Sequence, residues 1–152
     1  MVGTSKQMLG DWGEKLVRSK ISCPRCKAKR KTLRQLPPNF TCADLICDFC
    51  GYLAQVKTAT VANVTVLPNQ ILGAAWKPQS ERMKSGIYFP LFIVLVTKRP
   101  KGVAIYLLAA DLQTEEMFVP RKPLSNKAKR SGWQGYMIDL RLASGSPTKL
   151  SV

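Results

Sequence analysis

Histidine is absent from this chain of 152 residues. Its absence excludes catalysis by a histidine acid or base, Ser–His and Cys–His nucleophilic schemes, and metal sites with imidazole ligands. Acidic residues are scarce, because nine aspartates and glutamates stand against 24 lysines and arginines, for a net charge of +15. A folded domain this basic repels itself, so the excess favours a polyanionic partner. Nucleic acid is the first candidate, ahead of an anionic membrane surface or a generally basic, ribosome-like role.

Long apolar runs are also missing. The longest, at residues 88–96, is too short to span a bilayer and contains a proline, so it predicts a buried strand. No basic amphipathic helix with an aromatic face stands out, which argues against a membrane role. The N-terminal residues lack the apolar segment of a signal peptide, and we therefore expect a cytoplasmic protein. Thiols stay reduced there, so metal binding explains the five cysteines better than disulfides do.

Length and a hydrophobic content of 45% fit one domain, which we expect at residues 1–142, followed by a loose tail at 143–152. A capping-box spacing between Thr4 and Gln7, followed by apolar residues four apart, predicts a helix over residues 5–19. A second short helix is predicted at residues 74–84, although Pro78 argues against its regularity. Strands are predicted near residues 39–46, 52–58, 87–98, 102–112 and 136–140, with a turn at 99–102.

Four cysteines form two pairs at the spacing of metal ligands. Cys23 and Cys26 make the first CxxC pair, and Cys47 and Cys50 make the second after a gap of 20 residues. Two such turns complete a tetrahedral zinc site, whereas buried reduced thiols or a redox pair are the alternatives. Four sulfurs leave no open position, so this zinc would stabilise the fold and not catalyse. Cys42 is left over and is interpreted as a core thiol.

A second polar set surrounds the second cysteine pair. On a strand alternate residues share a face, so Gln55 and Lys57 point the same way. Asp44 lies 11 residues before Gln55 on the preceding predicted strand, and antiparallel pairing would bring it beside both. Carboxylate, amide and carbonyl oxygens suit Mg²⁺, and a lysine can orient a water and offset phosphate charge. Such a layout can hydrolyse a phosphodiester without histidine, although the same pattern also arises by chance.

Three stretches resemble the catalytic domain of the DpnI family of restriction endonucleases, which belongs to the PD-(D/E)XK nuclease superfamily. They are CPRC at residues 23–26, ADLICDFCGYLAQVK at 43–57 and RKPLSNKAKRSGWQGYMIDL at 121–140. Together they frame residues 11–142. The resemblance implies an α/β fold in which helices flank a central mixed sheet, with a four-cysteine zinc knuckle inserted at about residues 23–50. It also implies cleavage of DNA, which in the resembling enzyme takes place at adenine-methylated GATC sites.

The resemblance assigns structural zinc to the four paired cysteines. It assigns Mg²⁺ to Asp44 and the Val56 carbonyl, and makes Lys57 the catalytic lysine. Gln55 stands where the family pattern has Glu; active relatives with Gln-x-Lys exist, but a neutral amide is a weaker Mg²⁺ ligand. Glu14 on the first helix could add a carboxylate or face solvent. The family also has a C-terminal winged-helix domain, for which this chain leaves no room, so methylation dependence and the GATC sequence are not transferred.

Two basic clusters could grip DNA phosphates, which would position a duplex without reading its sequence. The first contains Lys27, Lys29, Arg30, Lys31 and Arg34, and the second contains Arg121, Lys122, Lys127, Lys129 and Arg130. Each is also compatible with a solvated loop. The sequence thus predicts a magnesium-dependent endonuclease of the type II restriction class that cuts double-stranded DNA, with a homodimer on DNA as one arrangement. The alternatives are a homing, repair or junction-cleaving nuclease of the same fold, or a non-catalytic zinc-stabilised DNA-binding module.

Overall fold

The computed structural model describes residues 5–41, 43–98 and 102–150. Thr4 of the predicted capping box, the proposed core thiol Cys42 and most of the predicted turn at 99–102 lie outside these residues. Within them are two α-helices, α1 (Ser5–Lys20) and α2 (Trp76–Lys84). The strands are β1 (Leu33–Gln35), β2 (Leu45–Cys47), β3 (Leu53–Thr60), β4 (Gln70–Ala75), β5 (Leu91–Val96), β6 (Val103–Leu108), β7 (Phe118–Pro120), β8 (Gly135–Asp139) and β9 (Thr148–Leu150).

A mixed six-stranded sheet forms the centre of the fold. Its order is β1-β2-β3-β5-β6-β9, with β3 and β5 parallel and the other neighbours antiparallel. All six residues of β5 are buried, as expected for a central strand with both faces covered. The α/β architecture with a mixed central sheet is therefore confirmed, as is the buried strand predicted from the apolar run.

Each face of the central sheet carries its own core. Phe92 and Val94 of β5 pack with Val17 of α1 on one face. Ile93 and Leu95 point to the other face, towards the antiparallel three-stranded sheet β4-β8-β7. The chain between β3 and β5 contains β4 and α2, because a parallel pair of strands needs a long crossover connection.

Helix α1 confirms the prediction for residues 5–19. Its Gly13 is buried against β3, where an added Cβ would overlap the Thr58 side chain. A glycine in mid-helix lowers helix propensity, but here it allows the helix to lie close to the strand. The close packing places the next residue, Glu14, beside β3.

Two predictions need correction, and a third is confirmed despite a proline. Only the end of the segment 39–46 is a strand, because residues 37–40 form a turn in which the Phe40 N–H donates to the Pro37 carbonyl. The second helix forms despite Pro78, which occupies the first turn, where its missing N–H is not needed. The expected loose tail is wrong for Thr148–Leu150, which pair with β6 at the edge of the central sheet.

None of the described helices has the length and apolarity to cross a membrane.

Candidate metal and catalytic centre

The four paired cysteines converge on one point. The sulfurs of Cys23 and Cys50 are 3.6 Å apart, those of Cys26 and Cys47 are 3.8 Å apart, and all four lie within 4.8 Å of one another. A zinc ion with Zn–S bonds of about 2.3 Å in a tetrahedron would separate its sulfurs by about 3.8 Å. The cluster therefore fits a zinc ion, and the predicted pairing of the two CxxC motifs into one site is confirmed.

The two CxxC turns have the same backbone geometry. Lys27 N–H donates to the Cys23 carbonyl and Gly51 N–H donates to the Cys47 carbonyl, both at 2.9 Å. Lys27 and Gly51 both have a positive φ, of 53° and 80°. Glycine adopts this left-handed conformation at little cost, whereas lysine does so at some strain. The paired turns are thus two copies of one local structure, facing each other across the cluster.

Local hydrogen bonds distinguish the thiols within the cluster. Burial opposes ionisation of Cys47, but hydrogen bonds from Thr32 and from the N–H groups of Cys50 and Phe49 outweigh it and lower its pKa to about 6. Burial raises the pKa of Cys23 to about 12. A metal ligand must be a thiolate, so these hydrogen bonds favour the form of Cys47 that can bind a metal.

Asp44 lies one residue before β2, and backbone bonds hold it on both sides. Its N–H donates to the Ala54 carbonyl and its carbonyl accepts from Leu36 N–H, each at 2.9 Å. Its carboxylate Oδ2 accepts a 2.7 Å hydrogen bond from Val56 N–H. These bonds extend the antiparallel pairing of β2 with β3. This is the pairing that was considered from the sequence as the way to bring Asp44 to β3.

Strand β3 contributes both side chains and a backbone carbonyl to the region around Asp44. Gln55 and Lys57 line a cavity of about 210 Å³ together with Asp44. The N–H and C=O of one strand residue point to the same side, so the Val56 carbonyl points towards Asp44, as its N–H does. The paired stretch of β2 and β3 ends at Ala54, so β2 does not cover this carbonyl. The structure thus brings together Asp44, Gln55, Val56 and Lys57.

Glu14 also reaches this region, as one of the two alternatives predicted. It lines a second cavity of about 780 Å³ that shares Asp44 with the first, and it accepts a 3.4 Å hydrogen bond from Gln35. Burial, followed by the Asp44 charge, raises the pKa of Glu14 to about 7. Burial is also the main cause that lowers the pKa of Lys57. Titratable groups with displaced pKa values in a cleft are typical of functional sites.

Sequence reasoning missed three residues beside Asp44. Arg82 of α2 and Tyr136 of β8 line the smaller cavity, and Gln79 hydrogen-bonds both of them. They come from segments far apart in the chain. The signals available were the predicted helix at 74–84, which contains Gln79 and Arg82, and the resembling stretch at 121–140, which contains Tyr136, but neither segment marked these residues as part of the site.

All ten residues of the two basic clusters have exposed side chains. In the first cluster Arg30 and Arg34 form ion pairs with Asp48 at 3.4 and 3.0 Å, which neutralises part of its charge. The second cluster lies on the connection between β7 and β8, whose Gln134 carbonyl accepts from Trp76 N–H at the start of α2. That connection therefore ends beside the cavity that contains Asp44.

Comparison with known proteins gives two matches. A stretch of 78 residues is 33% identical to NADH-ubiquinone oxidoreductase chain 4 of Squalus acanthias, covering 49% of this chain and 17% of that protein. The chain thus spans less than a fifth of that protein, and the match carries no functional conclusion. Residues 4–148 match the family described as DpnI, the Dam-replacing family. That match includes both cysteine pairs, Asp44, the β3 residues and both basic clusters, and the chain belongs to the DpnI family of restriction endonucleases.

Proposed function

We propose that the protein is a magnesium-dependent endonuclease of the type II restriction class, which hydrolyses phosphodiester bonds in double-stranded DNA on a PD-(D/E)XK core. The observation that supports this most directly is the convergence of Asp44, Gln55 and Lys57 on one cavity. Membership of the DpnI family supports DNA as the substrate. The net charge of +15 suits a polyanion.

The oxygen atoms at this site fit Mg²⁺. Asp44 Oδ2 accepts a hydrogen bond from Val56 N–H, and an ionised carboxylate has about four acceptor positions, so this bond does not fill the carboxylate. The Gln55 amide oxygen and the Val56 carbonyl are further hard donors, and Mg²⁺ keeps water in its other positions. Bound here, Mg²⁺ would supply charge stabilisation for the phosphate and make a bound water more acidic.

Lys57 would bind the phosphate, and Glu14 would accept the proton of the attacking water. Lys57 Nζ would donate to a non-bridging phosphate oxygen and orient the attacking water. The Glu14 carboxylate, with its pKa near 7, would accept a proton from water at neutral pH. The basic clusters would hold the flanking phosphates, and a homodimer would place one such site on each strand.

The test is incubation of the full chain with adenine-methylated and unmethylated plasmid in Mg²⁺. We expect cleavage of at least one plasmid, and loss of at least about 100-fold in rate for Asp44→Asn and Lys57→Ala. Lys149→Ala, an exposed cation on β9, is the matched control and should cut as the wild type does. Absence of cutting, with DNA binding retained, would refute the proposed activity. Full activity of Lys57→Ala would refute its assigned role alone.

Gln55 supports a second candidate, a non-catalytic zinc-stabilised DNA-binding module. An amide carries no charge, so the site has one carboxylate fewer on β3 than the family pattern. In this case the protein would bind DNA, and calorimetry would detect no Mg²⁺ binding. The same plasmid assay, run beside a binding assay, separates the two candidates.

A further inference from the structure

The cavity that contains Asp44 and Lys57 has a second cation, Arg82. It is partly buried on α2 and lines the same 210 Å³ cavity. Lys57 lines the same cavity from β3, so two cations face one space of this size. Two neighbouring positive charges repel. Asp44 in the same cavity offsets part of this repulsion, and an anion bound beside Arg82 would offset it further.

The Arg82 guanidinium is held in a fixed orientation. Nη2 donates to the Gln79 amide oxygen at 2.9 Å, and Nη1 donates to the Thr41 carbonyl at 2.8 Å. The Gln79 oxygen also accepts from the hydroxyl of Tyr136 at 3.3 Å. Gln79 is 4% exposed and Tyr136 is 1% exposed, so the support for the guanidinium is part of the core. An arginine oriented before binding loses less side-chain entropy when a ligand arrives.

The hydrogen-bond partners of Arg82 differ from those of three other arginines in the described chain. Arg30 and Arg34 pair with the carboxylate of Asp48, and Arg141 pairs with that of Asp139. Both hydrogen-bond acceptors described for Arg82 are neutral oxygens. A guanidinium has five N–H groups, so these two bonds leave donors available. The site therefore presents an oriented positive charge that neither of these acceptors balances.

We infer that Arg82 binds a phosphate of the DNA substrate at the cleavage site, beside the phosphate that Asp44 and Lys57 engage. The planar guanidinium can donate two parallel hydrogen bonds to a phosphate, which lysine cannot do. This inference rests on the proposed function, because it takes DNA as the anion. It distinguishes Arg82, which is partly buried in the cavity, from the two basic clusters, whose side chains are exposed.

The experiment measures binding and cleavage separately. Affinity of the full chain for a 20-base-pair duplex is measured in Ca²⁺ over a range of salt concentrations, and single-turnover cleavage is measured in Mg²⁺. The variants are Arg82→Gln, which is neutral and can still donate to the Thr41 carbonyl, and Arg82→Lys, which keeps the charge without the planar fork. Lys84→Ala, an exposed cation two residues further along α2, is the control. Thermal melting verifies that each variant is folded.

Loss of one phosphate contact reduces the slope of log K against log salt by about 0.9. We expect this reduction for Arg82→Gln, with the wild-type slope for Arg82→Lys and Lys84→Ala. Cleavage should fall about 10- to 100-fold for Arg82→Gln, the range for a lost hydrogen bond to a charged group, and by less for Arg82→Lys. A purely structural role in holding the Thr41 carbonyl would leave the salt slope unchanged.

The outcomes separate the inference from the function on which it rests. If the wild type cuts DNA and Arg82→Gln matches it in slope and rate, the phosphate contact is refuted and the nuclease stands. If the slope falls in Arg82→Gln but the wild type cuts nothing, the contact is supported and the proposed activity fails.

Discussion

Glu14→Gln should stabilise the protein at alkaline pH and impair its activity. Burial, followed by repulsion from Asp44, raises the pKa of Glu14 from 4.5 to about 7. The folded state therefore holds this proton more tightly than the unfolded state does. The contribution of Glu14 to stability is present below pH 4.5 and is lost as the pH rises through 7. Above pH 7 the folded protein contains a carboxylate that would be more stable in water.

The size of the effect follows from the pKa difference. A difference of about 2.5 pH units between the folded and unfolded pKa values corresponds to roughly 3 kcal/mol in the free energy of unfolding, before solvent screening is considered. Glu14 is only partly buried, so solvent screening reduces this to about 1–2 kcal/mol. For a chain of this length, that is a rise of roughly 3–6 °C in Tm. Glutamine removes the charge and keeps a polar group that can face Gln35.

The assay is thermal unfolding of both proteins at pH 4.5 and pH 8 in buffer without Mg²⁺ or chelator, so that zinc is retained. The quantity of interest is the variant-minus-wild-type difference in Tm at pH 8, minus the same difference at pH 4.5. Changes in zinc binding with pH affect both proteins and cancel in it. Glu116→Gln, at an exposed position, controls for the loss of one negative charge. If the Tm difference between variant and wild type is the same at pH 8 as at pH 4.5, the folded protein does not destabilise the Glu14 carboxylate and the reasoning is refuted.

Four further outcomes can be measured with single substitutions. Cys47→Ser should reduce the metal content from about one zinc per chain and lower Tm, as mass spectrometry and melting would show; unchanged zinc would contradict the four-sulfur site. Gln55→Glu should tighten Mg²⁺ binding roughly tenfold in calorimetry, and equal affinity would place this side chain away from the ion. Gly73→Ala should cost about 1–3 kcal/mol in urea unfolding, because a Cβ there overlaps a buried tyrosine ring, whereas Gly10→Ala has open space and should not destabilise. Asp48→Asn should raise DNA affinity roughly two- to fivefold in an anisotropy titration by releasing the two arginines it binds, with less than about 1 kcal/mol lost in stability.

The features that sequence reasoning predicted are those that depend on neighbours in the chain. The two CxxC turns are local, and antiparallel strands joined by a turn bring Asp44 to Gln55 by geometry alone. The strands β5 and β6 followed from continuous apolar runs. Glu14 was predicted as one of two alternatives from the family resemblance, in which an acid of the first helix can reach the site.

The features that it missed depend on contacts between distant segments. Arg82 belongs to the site because the crossover between β3 and β5 brings α2 to the cavity that contains Asp44. The core tyrosine Tyr136 supports it from β8 through Gln79. The strand at Thr148–Leu150 has no apolar alternation, and its partner β6 determines its conformation. The separate β4-β8-β7 sheet was not predicted either, because β7 is only three residues long.

The segment from Asp44 to Lys57 is intolerant of changes in length. Its strands present zinc ligands at one end and the proposed magnesium ligands at the other, so both sets share one register. Inserting one residue after Cys50 would reverse the faces of β3 and turn Lys57 away from its cavity. Inserting two would restore the face but displace the side chain by about 7 Å. Relatives of this protein should therefore vary in length elsewhere, above all in the exposed connection between β7 and β8, while the spacing from Asp44 to Lys57 is inherited as a unit.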